Sequence, residues 1–234
     1  MARPRLDNPR YYLNRHLQWL DFNRRVLEEA HDPGNPLLER VKFLAITANN
    51  LDEFVEVRVA GFLQRIEQGD GHSGPDGLAV AEELEQVTAS MQSLVRDQYK
   101  CWNEKLIPAL ARESISLLPV ARLDGPAAAA AKNFYDRRVY PMLTPVAVDP
   151  AHPFPHVLNK ALCIAFLLRK RRRSAKPLLG VITVPRALPR LFRVPAPEGA
   201  IRYVFLQDVI AAHAARIYRG YEILAQGAFR VTRN

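Results

Sequence analysis

At 234 residues, 48% hydrophobic and 24% charged, the chain has the profile of an ordinary globular protein with room for one large domain or two smaller ones. It opens without an apolar leader core, and its longest apolar run, Ala161 to Leu168, is far too short to cross a bilayer, so the reading excludes a membrane span and places the protein in the cytoplasm. Two cysteines, Cys101 and Cys163, sit in unrelated contexts, which argues against a disulfide framework or a zinc site and for buried free thiols.

The net charge of +9 is unevenly spread. Residues 1–118 carry 14 Lys/Arg against 18 Asp/Glu, whereas residues 119–234 carry 19 against 6. Of the 33 basic residues 26 are arginine, the side chain shaped for two-pronged contact with phosphate. Codon usage in a GC-rich genome accounts for an arginine bias equally well. It does not account for the asymmetry, which points to a polyanionic partner.

In chain order, the first predicted helix runs through "QWLDFNRRVLEEAHD", where Trp19, Phe22, Val26, Leu27 and Ala30 fall at steps of three and four before Asp32-Pro33-Gly34 stops it. Trp19 and Phe22 lie on that stripe and are read as core rather than as a stacking platform. A second helical pattern starts at Pro36 and runs into "TANNLDEFVEVRVAGF". There Leu51, Phe54, Val55, Val59 and Phe62 make an apolar stripe, and Asn50 stands three residues before Glu53, the spacing of a capping box, which predicts a helix over 51–66 with Asn50 as its N-cap. "GDGHSGPDG", Gly69 to Gly77, matches a dinucleotide-binding glycine pattern letter for letter, yet it follows a helix and carries Asp70, and is read as a loop. No phosphate-binding loop of the G-x-x-x-x-G-K-[ST] type occurs. A third helix spans about Val80 to Ala111, its Leu84, Val87, Met91, Leu94, Val95, Trp102 and Leu106 recurring almost as a heptad. These patterns predict an antiparallel helical bundle as the first domain, residues 1–113.

After Glu113 the pattern changes. "ISLLPV" reads as a strand, an Ala-rich helix covers about Pro126 to Tyr140, and "ALCIAFLL" and "PLLGVITVP" form a hairpin whose tip is "RKRRRSAK". A helix near Leu206 to Tyr218 and a final strand "GAFRVTRN" complete a second domain, 114–234, making the whole an α+β protein. Arg169, Arg171, Arg172 and Arg173, with Lys176, are candidates for contact with polyphosphate or nucleic acid, and a solvated hairpin tip is the plain alternative. No aromatic residues interleave them, which disfavours a dedicated nucleic-acid module. Of the six histidines, His152 and His156 flank "PFP", whose prolines forbid the helical spacing of a metal pair. Structural or surface roles are expected for His16, His31, His72 and His213 as well.

Four segments carry a family resemblance: "LQWLDFNRRVLEEAHD", "NPLLERVKFLAITANNLDEFVEVRVAGF", "YPMLTPVAVDPAHPFPHVLNK" and "FRVTRN". In this order, over about Tyr12 to Asn234, the chain resembles the N-terminal part of bacterial polyphosphate kinase, which builds polyphosphate from ATP. The resemblance implies a helical N-terminal domain that contacts the adenine of ATP, with the second amide of "NNLDEF", Asn50, as the nucleotide-contacting residue. It implies a following head domain, here partial, that supports a homodimer. The phosphorylated histidine, the phosphate- and metal-binding arginines and the polyphosphate tunnel belong to C-terminal domains whose motifs this sequence lacks. Mg2+ is accordingly expected for the complete enzyme and not from residues of this chain, which alone is expected to be inactive. The competing reading is a non-catalytic polyanion-binding or interaction module built on the basic half.

Overall fold

The computed structural model describes residues 8–71, 73–148, 156–170 and 177–233. It divides into two compact units, Met1–Leu110 with residues 232–234, and Ala111–Val231.

The first unit is helical. α1 (Arg15–His31) begins at Asn14, whose side-chain oxygen accepts from the backbone N–H of His16 and Leu17 at 2.9 and 3.0 Å, satisfying two donors that the first turn leaves over. α2 (Leu37–Phe54) follows a short turn and continues without a break through a widened π-helical turn, Val55–Val59, into α3 (Ala60–Glu67). α4 (Val80–Lys100) likewise passes through a π-helical segment, Cys101–Leu106, into α5 (Ile107–Arg112). Leu20, Leu27, Ala30, Leu51, Phe54, Phe62, Val80, Val87, Leu94, Cys101 and Leu106 form the core between them. Each fully buried large side chain there contributes about 1.5–3 kcal/mol of transfer free energy.

Two sequence expectations change here. The predicted helix start at Asn50 does not exist: Asn50 lies inside α2, one turn before its end, and no capping box forms. Nothing in residues 37–60 breaks a helix, since the stretch holds no glycine or proline, so propagation wins over a new start. The apolar face of α1 is also turned from its predicted position. The buried residues are His16, Leu20, Asn23, Leu27 and Ala30, a strict alternation of four and three, while Phe22 is 48% exposed. The larger aromatic residues drew the expected stripe around the helix, although two polar residues complete the buried one.

The second unit is α+β. β1 (Ile115–Leu117) pairs in parallel with β6 (Ile201–Phe205), which pairs antiparallel with β5 (Leu191–Val194). β2 (Pro145–Val148), β3 (Leu162–Lys170), β4 (Leu178–Thr183) and β7 (Tyr221–Arg230) make an antiparallel sheet in the order β2-β4-β3-β7. α6 (Gly125–Phe134) is capped by Asp124, which accepts from Ala127 N–H. α7 (Leu206–Ala212) and α8 (Ala214–Ile217) replace the single helix expected over 206–218, parting at His213. Ile164, Phe166, Leu168, Ile182, Val204, Leu206, Val209 and Ile210 centre the core.

The hairpin of β3 and β4 forms as expected. The last strand starts earlier than its sequence pattern indicates, at Tyr221, and a bulge opposite Leu167 and Leu168 shifts its register. β2, β5 and β6 were not legible in the sequence, being four or five residues long and, in β2, opened by a proline that suits only an edge strand. Cys101 and Cys163 are buried free thiols. Among the described residues no helix is long and apolar enough to cross a membrane.

Candidate functional site

The site begins with a polar pair on a buried helix face. Asn23, fully buried on α1, donates from Nδ2 to the backbone carbonyl of Thr47 at 3.0 Å. Thr47 is fully buried too, and its hydroxyl is committed to the carbonyl of Phe43 at 2.8 Å. The Oδ1 of Asn23 accepts from Asn50 Nδ2 at 3.1 Å. These three links have one self-consistent polarity. A carbonyl oxygen only accepts, so Asn23 must turn its NH2 to Thr47; its own oxygen then faces Asn50, which must answer with an N–H. One amide hydrogen of Asn50 is spent inward. Its carbonyl oxygen and second hydrogen remain for the cavity.

That cavity has a volume of about 250 Å3 and is lined by Trp19, Phe22, Asn50, Glu53, Phe54, Val57 and Arg58. Trp19 stacks on Phe54, with ring centroids 4.6 Å apart and planes 21° apart, giving one wall a rigid aromatic surface. Phe22 stands at the mouth, with the guanidinium carbon of Arg25 5.9 Å from its ring centre. Val57 and Arg58 come from the π-helical turn, a departure from regular helix that frequently accompanies functional sites. Apolar faces with a few convergent polar groups are what a small planar ligand needs. Of the two aromatics read from sequence as core, Phe22 is exposed and belongs to the rim, whereas Trp19 is half-buried, packs against the helical core as expected and lines the cavity as well.

The sequence singled out Asn50 through the resemblance alone, and the structure sets it beside this aromatic wall. Asn23 escaped notice, although an asparagine at a strict heptad position of an apolar helix face was the available signal.

The basic candidates divide. Arg169 lies near the end of β3 and its Nε and Nη2 donate to Glu222 Oε2 on β7 at 3.1 and 2.8 Å, so an acid already shares its charge. Arg171, Arg172, Arg173 and Lys176 lie outside the described residues, as do His72 and His152. Among the described residues no three His, Cys, Asp or Glu side chains come together to hold a metal ion, and no ligand to Mg2+ is assigned here.

Fold and cavity together define a helical unit with an amide-and-aromatic cavity and an α+β unit that follows it in the chain. The family described as polyphosphate kinase N-terminal domain matches residues 12–118, and the one described as polyphosphate kinase middle domain matches residues 127–234. The polyphosphate kinase of Thermosynechococcus vestitus is 43% identical over 234 residues, covering 98% of this chain and 32% of its own length. That of Halalkalibacterium halodurans is 37% identical, covering 98% and 33%. The crystal structure of polyphosphate kinase from Porphyromonas gingivalis superposes with a TM-score of 0.85 at 25% identity, over 94% of this chain and 33% of that one. The chain belongs to the polyphosphate kinase family, as its N-terminal and middle domains, and spans about a third of the length of these relatives.

Proposed function

We propose that this chain supplies the adenine-contacting part of a polyphosphate kinase, with the Oδ1 and free N–H of Asn50 meeting the base of ATP. The transfer itself, of the γ-phosphoryl group reversibly to polyphosphate through a phosphohistidine, is assigned to parts of the family's fold outside these 234 residues. The observation that carries the reading is the Asn50 amide, polarised by Asn23 and set against the Trp19–Phe54 stack. An amide edge of one acceptor and one donor complements adenine, which offers an amino group beside a ring nitrogen. A hydrogen bond or two contributes about 0.5–1.5 kcal/mol each, so the chain alone is expected to hold adenosine only weakly, in the millimolar range.

The test is polyphosphate synthesis from labelled ATP and a polyphosphate primer. It is run on this chain alone and mixed with a separately expressed C-terminal two-thirds of a relative. Activity only in the mixture, reduced at least tenfold at low ATP by Asn50→Ala, is the expected result. Synthesis by the chain alone, or indifference to Asn50→Ala, overturns it. The basic balance of residues 119–234 favours a second reading, in which the α+β unit binds polyanions. That reading expects salt-dependent polyphosphate binding that falls when Arg171, Arg172 and Arg173 are replaced and ignores Asn50→Ala.

A further inference from the structure

We propose that Asn23 is a positioning residue that fixes the sense of the Asn50 amide, and thereby makes the cavity choose a base carrying an amino group over one carrying a carbonyl at the same ring position. The inference rests on the adenine contact proposed above for Asn50 and goes beyond it, because it gives the discrimination to a residue that touches no ligand.

The argument is one of hydrogen-bond polarity. A primary amide is nearly symmetric in shape, and an unrestrained asparagine turns by half a rotation to present oxygen or nitrogen as a ligand requires. Adenine and hypoxanthine make opposite demands: adenine sets an amino donor beside a ring-nitrogen acceptor, while hypoxanthine sets a carbonyl acceptor beside an N–H donor. A free asparagine would serve both. Asn50 is not free, because its Nδ2 is held 3.1 Å from an oxygen that has itself been oriented by the Thr47 carbonyl, 3.0 Å from the other end of Asn23. Turning Asn50 over would set its oxygen against the oxygen of Asn23, which is itself wholly buried and has no second donor to offer on that side. Asn23 cannot turn with it, since its NH2 would then leave the carbonyl that only accepts. The two side chains therefore act as one device with one direction, anchored in the backbone of α2.

The experiment compares adenosine with inosine, titrated into the chain and followed at the side-chain amide of Asn50 by nuclear magnetic resonance. Wild type is expected to bind adenosine about tenfold more tightly than inosine. Asn23→Leu, of similar volume and unable to orient anything, is expected to bring the two within about twofold. A preference unchanged in Asn23→Leu overturns the inference while leaving the adenine contact intact. No saturable adenosine shift, or a shift of the Trp19 indole N–H that survives Asn50→Ala, instead overturns the adenine contact and the inference with it. Hydrogen exchange in the unliganded wild type gives a measurement that needs no variant to fold. One Asn50 amide hydrogen should exchange at least about tenfold more slowly than the other, and equal rates overturn the fixed orientation.

Discussion

Nδ1 of His16 lies 2.6 Å from Oε1 of Glu83, and both side chains are buried where the first turn of α1 meets the first turn of α4. The same carboxylate oxygen accepts from Asn14 Nδ2 at 2.6 Å, and that nitrogen also reaches Asp76 at 2.7 Å. Asn14 thus caps α1 with its oxygen and ties it to α4 with its nitrogen. The His16 ring is held edge-on against Phe62, with centroids 4.8 Å apart, so it has little room to turn.

Removing the acceptor of that cluster strands the buried His16 ring nitrogen, leaves Asn14 Nδ2 with Asp76 alone and opens a void. Glu83→Ala is expected to lower the stability of the helical unit by about 3 kcal/mol, and Glu83→Gln, which keeps an accepting oxygen, by about 1 kcal/mol. Urea unfolding followed by the fluorescence of Trp19 and Trp102 reads this unit selectively, because the chain has two tryptophans and both lie in it. A Glu83→Ala midpoint equal to that of wild type would show the cluster to be energetically idle.

The turned face of α1 makes a paired prediction. Leu20 is 1% exposed, and Leu20→Ala is expected to cost about 3–4 kcal/mol, while Phe22→Ala, at a 48% exposed ring, should stay within about 0.5 kcal/mol. The stripe read from the sequence expects the opposite ranking for Phe22. Equal losses in the same urea assay would restore that stripe and remove Phe22 from the cavity mouth.

What the sequence made legible follows from which forces act locally. The three long helical stretches and the β3–β4 hairpin are written in apolar periodicity and turn residues, and they stand where expected. Helix ends and the facing of α1 depend on partners far along the chain: Asn50 has the spacing of a cap but is taken up by Asn23, 27 residues earlier. β1 falls within "ISLLPV", read as a strand, but the parallel pairing of Ile115 with Ile201 joins strands with most of the second unit between them, and β6, at five residues, leaves too short a pattern to read. For the site, resemblance pointed to Asn50, but only side-chain geometry shows the Trp19–Phe54 wall and the polarity set by Thr47.

Tyr218 and Gly180 test the packing of the α+β unit. A Cβ on Gly180 would come within 2.7 Å of Cζ and Oη of Tyr218 and 2.9 Å of a Leu168 methyl, so Gly180→Ala is expected to cost about 1–3 kcal/mol through overpacking in β4. The Tyr218 hydroxyl is buried and has no hydrogen-bond partner among the described residues. Tyr218→Phe therefore loses no bond and is expected to leave stability unchanged or raise it by about 1 kcal/mol. Thermal unfolding of the two variants would show it, and a clear loss in Tyr218→Phe would mean that the hydroxyl has a partner after all.

Tyr135 makes the second unit sensitive to alkali. Its ring is fully buried, stacked on His213 with centroids 4.0 Å apart, and burial pushes its phenol up to about 12, against the opposite pull of nearby Arg216. Tyr218 is pushed up to about 12 by burial as well. In the unfolded chain both phenols ionise near about 10. Below that pH the folded and unfolded states hold the same protons and the core keeps its full stability. Between pH 10 and about 12 the unfolded chain sheds protons that the folded core retains, so stability falls as the pH rises through that window. Other groups titrate there too, and the difference between wild type and Tyr135→Phe isolates this one. The urea midpoint of wild type, followed from pH 8 to pH 12 by circular dichroism, should drop more steeply than that of Tyr135→Phe above pH 10. Parallel curves would mean that Tyr135 gives up its proton as readily in the folded protein as in the unfolded chain, and that its ring is reached by water.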